Sequence, residues 1–179
     1  MKLVQPIRDK ETINKFKQEL LHHSYRDYIL FVMGINTGLR ISDILPLKVK
    51  DVKGTHITIK EKKTGKNKRF KINSSLKKEL DKYTATMNNE DYLFPSRKGD
   101  SYISRVQAYR ILNEVATKLG LEEIGTHTLR KTFGYHHYQQ YKDVAILQEI
   151  FNHSSPSVTL RYIGITNDMV DDTIEGFYL

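Results

Sequence analysis

The stretch from Ser24 to about Thr37 limits the fold more than any other part of the chain. It carries Tyr28, Ile29, Leu30, Phe31, Val32, Met33 and Ile35, so a helix there is apolar around most of its circumference rather than along one stripe. Such a helix has to be covered on all sides, which makes it the predicted centre of the domain, and Gly38 is placed to end it. The apolar run from Tyr28 to Ile35 falls far short of the roughly 20 residues a membrane span requires, so no membrane partner is expected. With 179 residues, 39% of them hydrophobic, the chain has material for one core.

The flanking segments supply the cover. Asp9 can cap a helix reaching about His22, with Ile13, Phe16, Leu20 and Leu21 on its apolar face. A short helix from Arg40 to Leu45 stops before Pro46 and holds Arg40 at a corner between two helices. The period then changes. His56-Ile57-Thr58-Ile59-Lys60 and Arg69-Phe70-Lys71-Ile72 alternate with period two around a polar stretch at 62–68, which predicts a basic β-hairpin. Helical patterns return from Ser74 to Tyr83 and from Ser104 to Leu119, the second turning Val106, Ile111, Leu112, Val115 and Leu119 toward the core. Further helices are expected near 127–140, 143–151, 156–163 and 167–176. The expected fold class is mainly α with a small antiparallel β-sheet (α+β).

Composition narrows the function. The absence of cysteine removes disulfide scaffolds, thiolate zinc sites and cysteine catalysis. Lys and Arg outnumber Asp and Glu by 29 to 21, and a formal charge of +8 points to a polyanionic partner. The N-terminus, Met1-Lys2-Leu3-Val4-Gln5-Pro6, turns polar at once and does not read as a secretory signal, so a cytoplasmic protein is expected. His136 and His137 point apart on a helix, with no carboxylate at a ligand spacing, so no metal site is expected there.

Four strings carry the chemistry: Thr37-Gly38-Leu39-Arg40-Ile41-Ser42-Asp43, Lys62-Lys63-Thr64-Gly65-Lys66, His127-Thr128-Leu129-Arg130, and Asn152-His153-Ser154-Ser155 followed by Thr159-Leu160-Arg161-Tyr162. Alone, each has a structural reading. Arg40 can bridge to Asp43, His127 can cap a helix, Lys63 can be one of several solvated lysines, and Tyr162 is one of 11 tyrosines. In this order, separated by these helices and this hairpin, the strings closely resemble the catalytic domain of the tyrosine recombinases, the phage integrase family, from about residue 7 to residue 175.

The resemblance implies DNA strand exchange through a covalent 3′-phosphotyrosine, with Arg40, Lys63, His127, Arg130, His153 and Tyr162 as catalytic residues. The residue types suit that chemistry. Two guanidiniums can clamp the non-bridging oxygens of a phosphodiester under attack. Histidines at 127 and 153 can donate to the same phosphate or move protons near neutral pH. A phenol at Tyr162 can attack phosphorus and store the broken bond as a new phosphodiester, so no metal or other cofactor is required. The family places a lysine on the hairpin to protonate the departing 5′-oxygen, and the Lys-Thr-Gly match selects Lys63 over Lys62 and Lys66. Asp43 corresponds to a supporting acidic position, where Glu is frequent. Asn152 stands where glycine often precedes the histidine, and Asn tolerates a left-handed backbone.

The resemblance also implies double-stranded DNA as partner, and a homo-tetramer on DNA that is weakly associating or monomeric without it. The apolar end Ile174-Glu175-Gly176-Phe177-Tyr178-Leu179 is the expected contact with a neighbouring subunit, the alternative being that it packs back on its own domain. The helix at 104–119 is the expected recognition helix, and Lys66, Lys68, Arg97, Arg105, Gln107 and Arg110 are the expected DNA-binding residues. Most members carry a separate helical DNA-clamping domain ahead of the catalytic one. Here the pattern begins almost at once, so 1–179 is expected to be a single catalytic domain with no separate N-terminal core-binding domain, either a short recombinase of the fimbrial-switch and mobile-element type or an excised fragment. Two other readings remain at this level: a type IB topoisomerase-like relaxing enzyme, and a DNA-binding regulator that does not cut.

Overall fold

The computed structural model describes residues 4–60, 65–122, 124–165 and 167–179. Helix α1 (Lys10–His23) starts at Asp9, whose carboxylate accepts from the amides of Glu11 and Thr12. Ser24 caps α2 (Tyr25–Thr37), and Gly38 ends it in the left-handed region at φ 67°. A side chain at Gly38 would also collide with Phe133, since a Cβ there would lie 2.4 Å from the ring. Helix α3 (Ile41–Ile44) follows directly, and a 3-10 turn at Val49–Val52, which the sequence pattern does not announce, leads to the hairpin.

Strands β1 (His56–Lys60) and β2 (Asn67–Lys71) pair antiparallel, with Ile57 opposite Phe70 and Lys60 opposite Asn67. The second strand begins two residues before the alternating pattern does. Lys62 and Lys63, in the connection between the strands, lie outside the described residues. Beyond the hairpin come α4 (Ser74–Tyr83), α5 (Arg105–Lys118), α6 (Thr128–Tyr141), α7 (Val144–Phe151), α8 (Pro156–Tyr162) and α9 (Asn167–Glu175). The stretch 84–103 has no helical or alternating pattern, yet it buries Leu93, Phe94 and Ile103, pinned by bonds from Leu93 N to Leu47 O and from Ile103 N to Phe94 O, both 2.9 Å.

Helix α2 is the centre, with α1, α4 and α6 packed around it. Ile29, Leu30, Phe31 and Met33 are fully buried, and Phe31 stacks on Phe16 of α1 at 4.6 Å between ring centroids. A second, smaller cluster of Leu147, Phe151 and Ile163 lies between α6, α7 and α8, with Phe133, Ile150 and Tyr162 packed against it.

Two side chains expected in the core lie outside it. Leu21 is 51% exposed, because Ile13, Phe16 and Leu20 define the buried line of α1 and the next residue turns about 100° away from it. Val106 is 59% exposed, because the core line of α5 runs through Ala108, Leu112, Val115 and Ala116, and two residues before Ala108 lies about 200° around the helix.

Candidate active site

The sharp turn at Gly38 brings Arg40 to the N-terminus of α3, where its carbonyl accepts from the amides of Asp43 (2.8 Å) and Ile44 (3.1 Å) and its side chain is exposed. His127 is the first flanking residue of α6, and Arg130 lies in the first turn, so one helix start presents both. Arg130 is buried. Its Nη1 donates to Gly38 O at 2.6 Å, its Nη2 donates to Phe151 O at 2.9 Å, and its guanidinium lies 4.3 Å from the centre of the Phe151 ring. A single side chain thus joins the end of α2, the start of α6 and the end of α7.

At the end of α7, Asn152 adopts φ 54° and closes the helix with its amide on Glu149 O, while the His153 amide returns to Gln148 O. His153 Nδ1 lies 2.9 Å from Thr159 Oγ1. That hydroxyl also lies 3.4 Å from Ser155 O, so Thr159 ties the imidazole to the first turn of α8. Tyr162 is the last residue of α8. Its ring stands edge-on to Phe151 (5.5 Å) and His153 (5.0 Å). The Tyr162 hydroxyl is buried and makes no well-formed hydrogen bond among the described residues, although the Arg130 guanidinium lies near enough to lend it a weak one. Arg130 is close enough to act on it, mainly through charge.

The electrostatics follow from burial among cations. Burial pulls the Arg130 guanidinium down to about 10, which leaves it charged at neutral pH. His127 lies below the ordinary histidine value, first because one side of the ring is desolvated and then because Lys131, Arg130, Arg40 and Arg105 repel a further positive charge. His153 is lowered by burial and then by Arg130, Arg40 and Lys68. Burial raises the Tyr162 phenol, and Arg130 and Arg40 oppose that rise. A pocket of this kind is short of negative charge and suits an anion such as a phosphodiester.

The structure brings Arg40, His127, Arg130, His153 and Tyr162 within electrostatic reach of one another, with the Asp43 charge acting on Arg130. Lys63 lies outside the described residues. Arg97, Arg105 and Arg110 are exposed, Gln107 is half-buried, and Lys66 is exposed near the hairpin turn. Lys68 is directed elsewhere: its ammonium donates to the carbonyls of Glu149 and Ile150 at the end of α7.

Lys131 escaped the sequence reading. Its buried ammonium donates to Val4 O at 2.8 Å and lies 5.0 Å from the centre of the Tyr162 ring, a cation over the face of the phenol. Its spacing from His127, one helical turn, was the available signal. Thr159, buried under His153, gave none.

The model of the phage integrase family matches residues 8–168. The chain is 59% identical over 169 residues to the probable integrase/recombinase YoeC of Bacillus subtilis, covering 94% of this chain and 93% of that protein. It is 29% identical over 172 residues to the tyrosine recombinase XerA of Pyrococcus furiosus, covering 93% of this chain but only 59% of that longer protein. Among solved structures, the Tn1549 transposon integrase in complex with transposon right end DNA superposes with a TM-score of 0.73 at 18% identity, over 98% of this chain and 66% of that one. The chain belongs to the phage integrase family, the DNA breaking and rejoining recombinases of the tyrosine type. Its fold is that of their catalytic domains.

Proposed function

We propose that this chain is a site-specific recombinase or integrase that cleaves and rejoins double-stranded DNA through a covalent 3′-phosphotyrosine at Tyr162. The observation that carries the reading is a buried phenol whose hydroxyl is committed to no well-formed hydrogen bond among the described residues and lies beside the Arg130 guanidinium, under the charge of Arg130 and Arg40. Tyr162 Oη attacks the scissile phosphorus, the P–O5′ bond breaks, and the products are a tyrosyl 3′-phosphate and a free 5′-hydroxyl. Arg40 and Arg130 hold the non-bridging oxygens as their charge grows. The phenol proton passes to a neutral imidazole, with His153 the ring nearest the phenol, and Lys63 supplies the proton taken up by the 5′-oxygen. Asp43 orients the guanidiniums. Attack of a second strand's 5′-hydroxyl on the phosphotyrosine reverses the step and completes exchange.

DNA would lie across the exposed side of α5 and the hairpin, with Arg97, Arg105, Arg110, Gln107 and Lys66 toward it. Val106 and Tyr109 are exposed on the same helix, and Val106 is apolar in the way a thymine methyl requires. Phe177, Tyr178 and Leu179 are 65%, 97% and 98% exposed, which favours burial against a neighbouring subunit in a tetramer assembled on DNA. No helix among the described residues is long and apolar enough to cross a membrane, and a recombinase acting on the DNA of a bacterial cell would work in the cytoplasm.

The test uses nicked duplexes from the flanks of the chain's own gene and denaturing gels. Wild type is expected to form a covalent protein–DNA adduct. Tyr162→Phe, which removes one oxygen and keeps the ring, is expected to bind with unchanged affinity and form none. A Phe variant that still becomes attached would move the nucleophile elsewhere. DNA binding without any adduct would favour the non-cutting regulator, and relaxation of arbitrary supercoiled plasmids would favour the topoisomerase.

A further inference from the structure

The last turn of α7 leaves its carbonyls without helical partners, as every helix end does. Two are taken by the closing turn, Gln148 O by the His153 amide and Glu149 O by the Asn152 amide. Phe151 O is taken by Arg130. Lys68 of β2 supplies what remains: its Nζ donates to Glu149 O at 3.0 Å and to Ile150 O, across 81 and 82 residues of sequence, while lying 5.4 Å from the centre of the Phe70 ring. Three successive carbonyls are therefore held by two cations from opposite sides, one on the hairpin and one on α6. This is the helix end where the macrodipole favours positive charge. His153 follows two residues later.

We propose that Lys68 is a positioning residue that ties the hairpin to the turn carrying His153, rather than a phosphate ligand. A lysine with its ammonium on two backbone carbonyls has little left to offer DNA, and withdrawing it would loosen the turn that carries His153 at the end of α7. The hairpin and the His153 turn then move as a unit, so seating the hairpin on DNA also places the imidazole. The inference rests on the recombinase reading only for its effect on cleavage.

The test compares wild type with Lys68→Met, which keeps a stem of similar length without the ammonium, and with Lys68→Arg, which keeps the donors. Without DNA, amide hydrogen exchange at Asn152 and His153 is expected to speed up about tenfold in Lys68→Met, as for loss of a charge-assisted hydrogen bond, and to return toward wild type in Lys68→Arg. On nicked duplex, the single-turnover cleavage rate at saturating protein should fall on the order of 10–100-fold in Lys68→Met and be largely restored in Lys68→Arg. The slope of log affinity against log salt should not change. Arg105→Met, an exposed residue facing the expected DNA path, is the control and should lower that slope by about 0.9. Unchanged exchange, or a salt slope lowered by about 0.9 in Lys68→Met with the saturated rate intact, overturns the proposal. If wild type forms no adduct, the recombinase reading fails while the exchange measurement still decides the role of Lys68.

Discussion

The residues proposed for the active site are divided between two bodies of unequal weight. Arg40, His127 and Arg130 spring from the helices around α2, where Phe16, Ile29, Leu30, Phe31 and Met33 form a continuous buried mass. His153 and Tyr162 rest on the thin cluster of Leu147, Phe151 and Ile163. The backbone that carries the proposed phosphate-holding groups is thus well anchored, whereas the proposed nucleophile and the imidazole beside it sit on the smaller cluster, where local opening is expected to cost less. An enzyme that must release one strand and accept another gains from that division, because α7 and α8 can shift without unfolding the clamp. Arg130 crosses the boundary with its bonds to Gly38 O and Phe151 O.

The largest expected effect separates the two bodies. Phe31→Ala opens a hole in the main core and should cost about 3–5 kcal/mol in denaturant unfolding. Gly134→Ala strikes the thin cluster instead, since a Cβ there would lie 2.6 Å from Ile163 and 2.7 Å from Phe151, closer than packed atoms tolerate. It should lower cleavage on the order of 10²-fold by displacing α8, at a smaller cost in global stability than Phe31→Ala. Equal stability losses in the two variants would show that the bodies unfold as one.

The hairpin belongs to both bodies, through Ile57 in the main core and Lys68 on α7. If it carries the acid at Lys63, Lys63→Ala should cleave ordinary DNA on the order of 10²-fold more slowly or worse, yet approach the wild-type rate when sulfur replaces the bridging 5′-oxygen, because a thiolate leaves without a proton. Lys62→Ala and Lys66→Ala should show mild defects that sulfur does not repair. Rescue of either control would shift the register of the hairpin.

The smallest effect is in pH. His127 and His153 both titrate below the ordinary value of ~6.5 in the folded chain, so on acidification the unfolded chain takes up protons first. Their contribution to stability is whole above that value and declines as pH falls through it toward the lower folded values. In thermal melts, His127→Gln combined with His153→Gln should flatten the decline between neutral pH and pH ~5. An unchanged pH dependence would mean that the imidazoles are not held neutral by burial and by the cations around them.

The helices were legible because their signals are local: Asp9 and Ser24 as caps, the all-round apolar run of α2, the Gly38 stop, and the period-two runs of the hairpin. The convergence of Arg40, His127, Arg130, His153 and Tyr162 was legible only as a pattern of strings, since no spacing says that Arg130 will reach Gly38 O. Lys68 was read as one more cation for DNA, and only the fold, by folding β2 against α7, gives it two carbonyls. Helical spacing puts Leu21 and Val106 at the margin of the apolar faces of α1 and α5, and the folded helices turn both to solvent because the buried lines run through Phe16 and Leu20 and through Ala108 and Leu112.

The claim that the thin cluster carries the nucleophile is tested most directly by finding the atom to which DNA becomes attached. Adduct formed on a nicked duplex is digested with protease and nuclease, and the nucleotide-bearing peptide is sequenced by mass spectrometry. The mass of the nucleotide remnant is predicted on Tyr162, in a peptide spanning the end of α8. Attachment at any other tyrosine, or at a serine or histidine, would contradict the account.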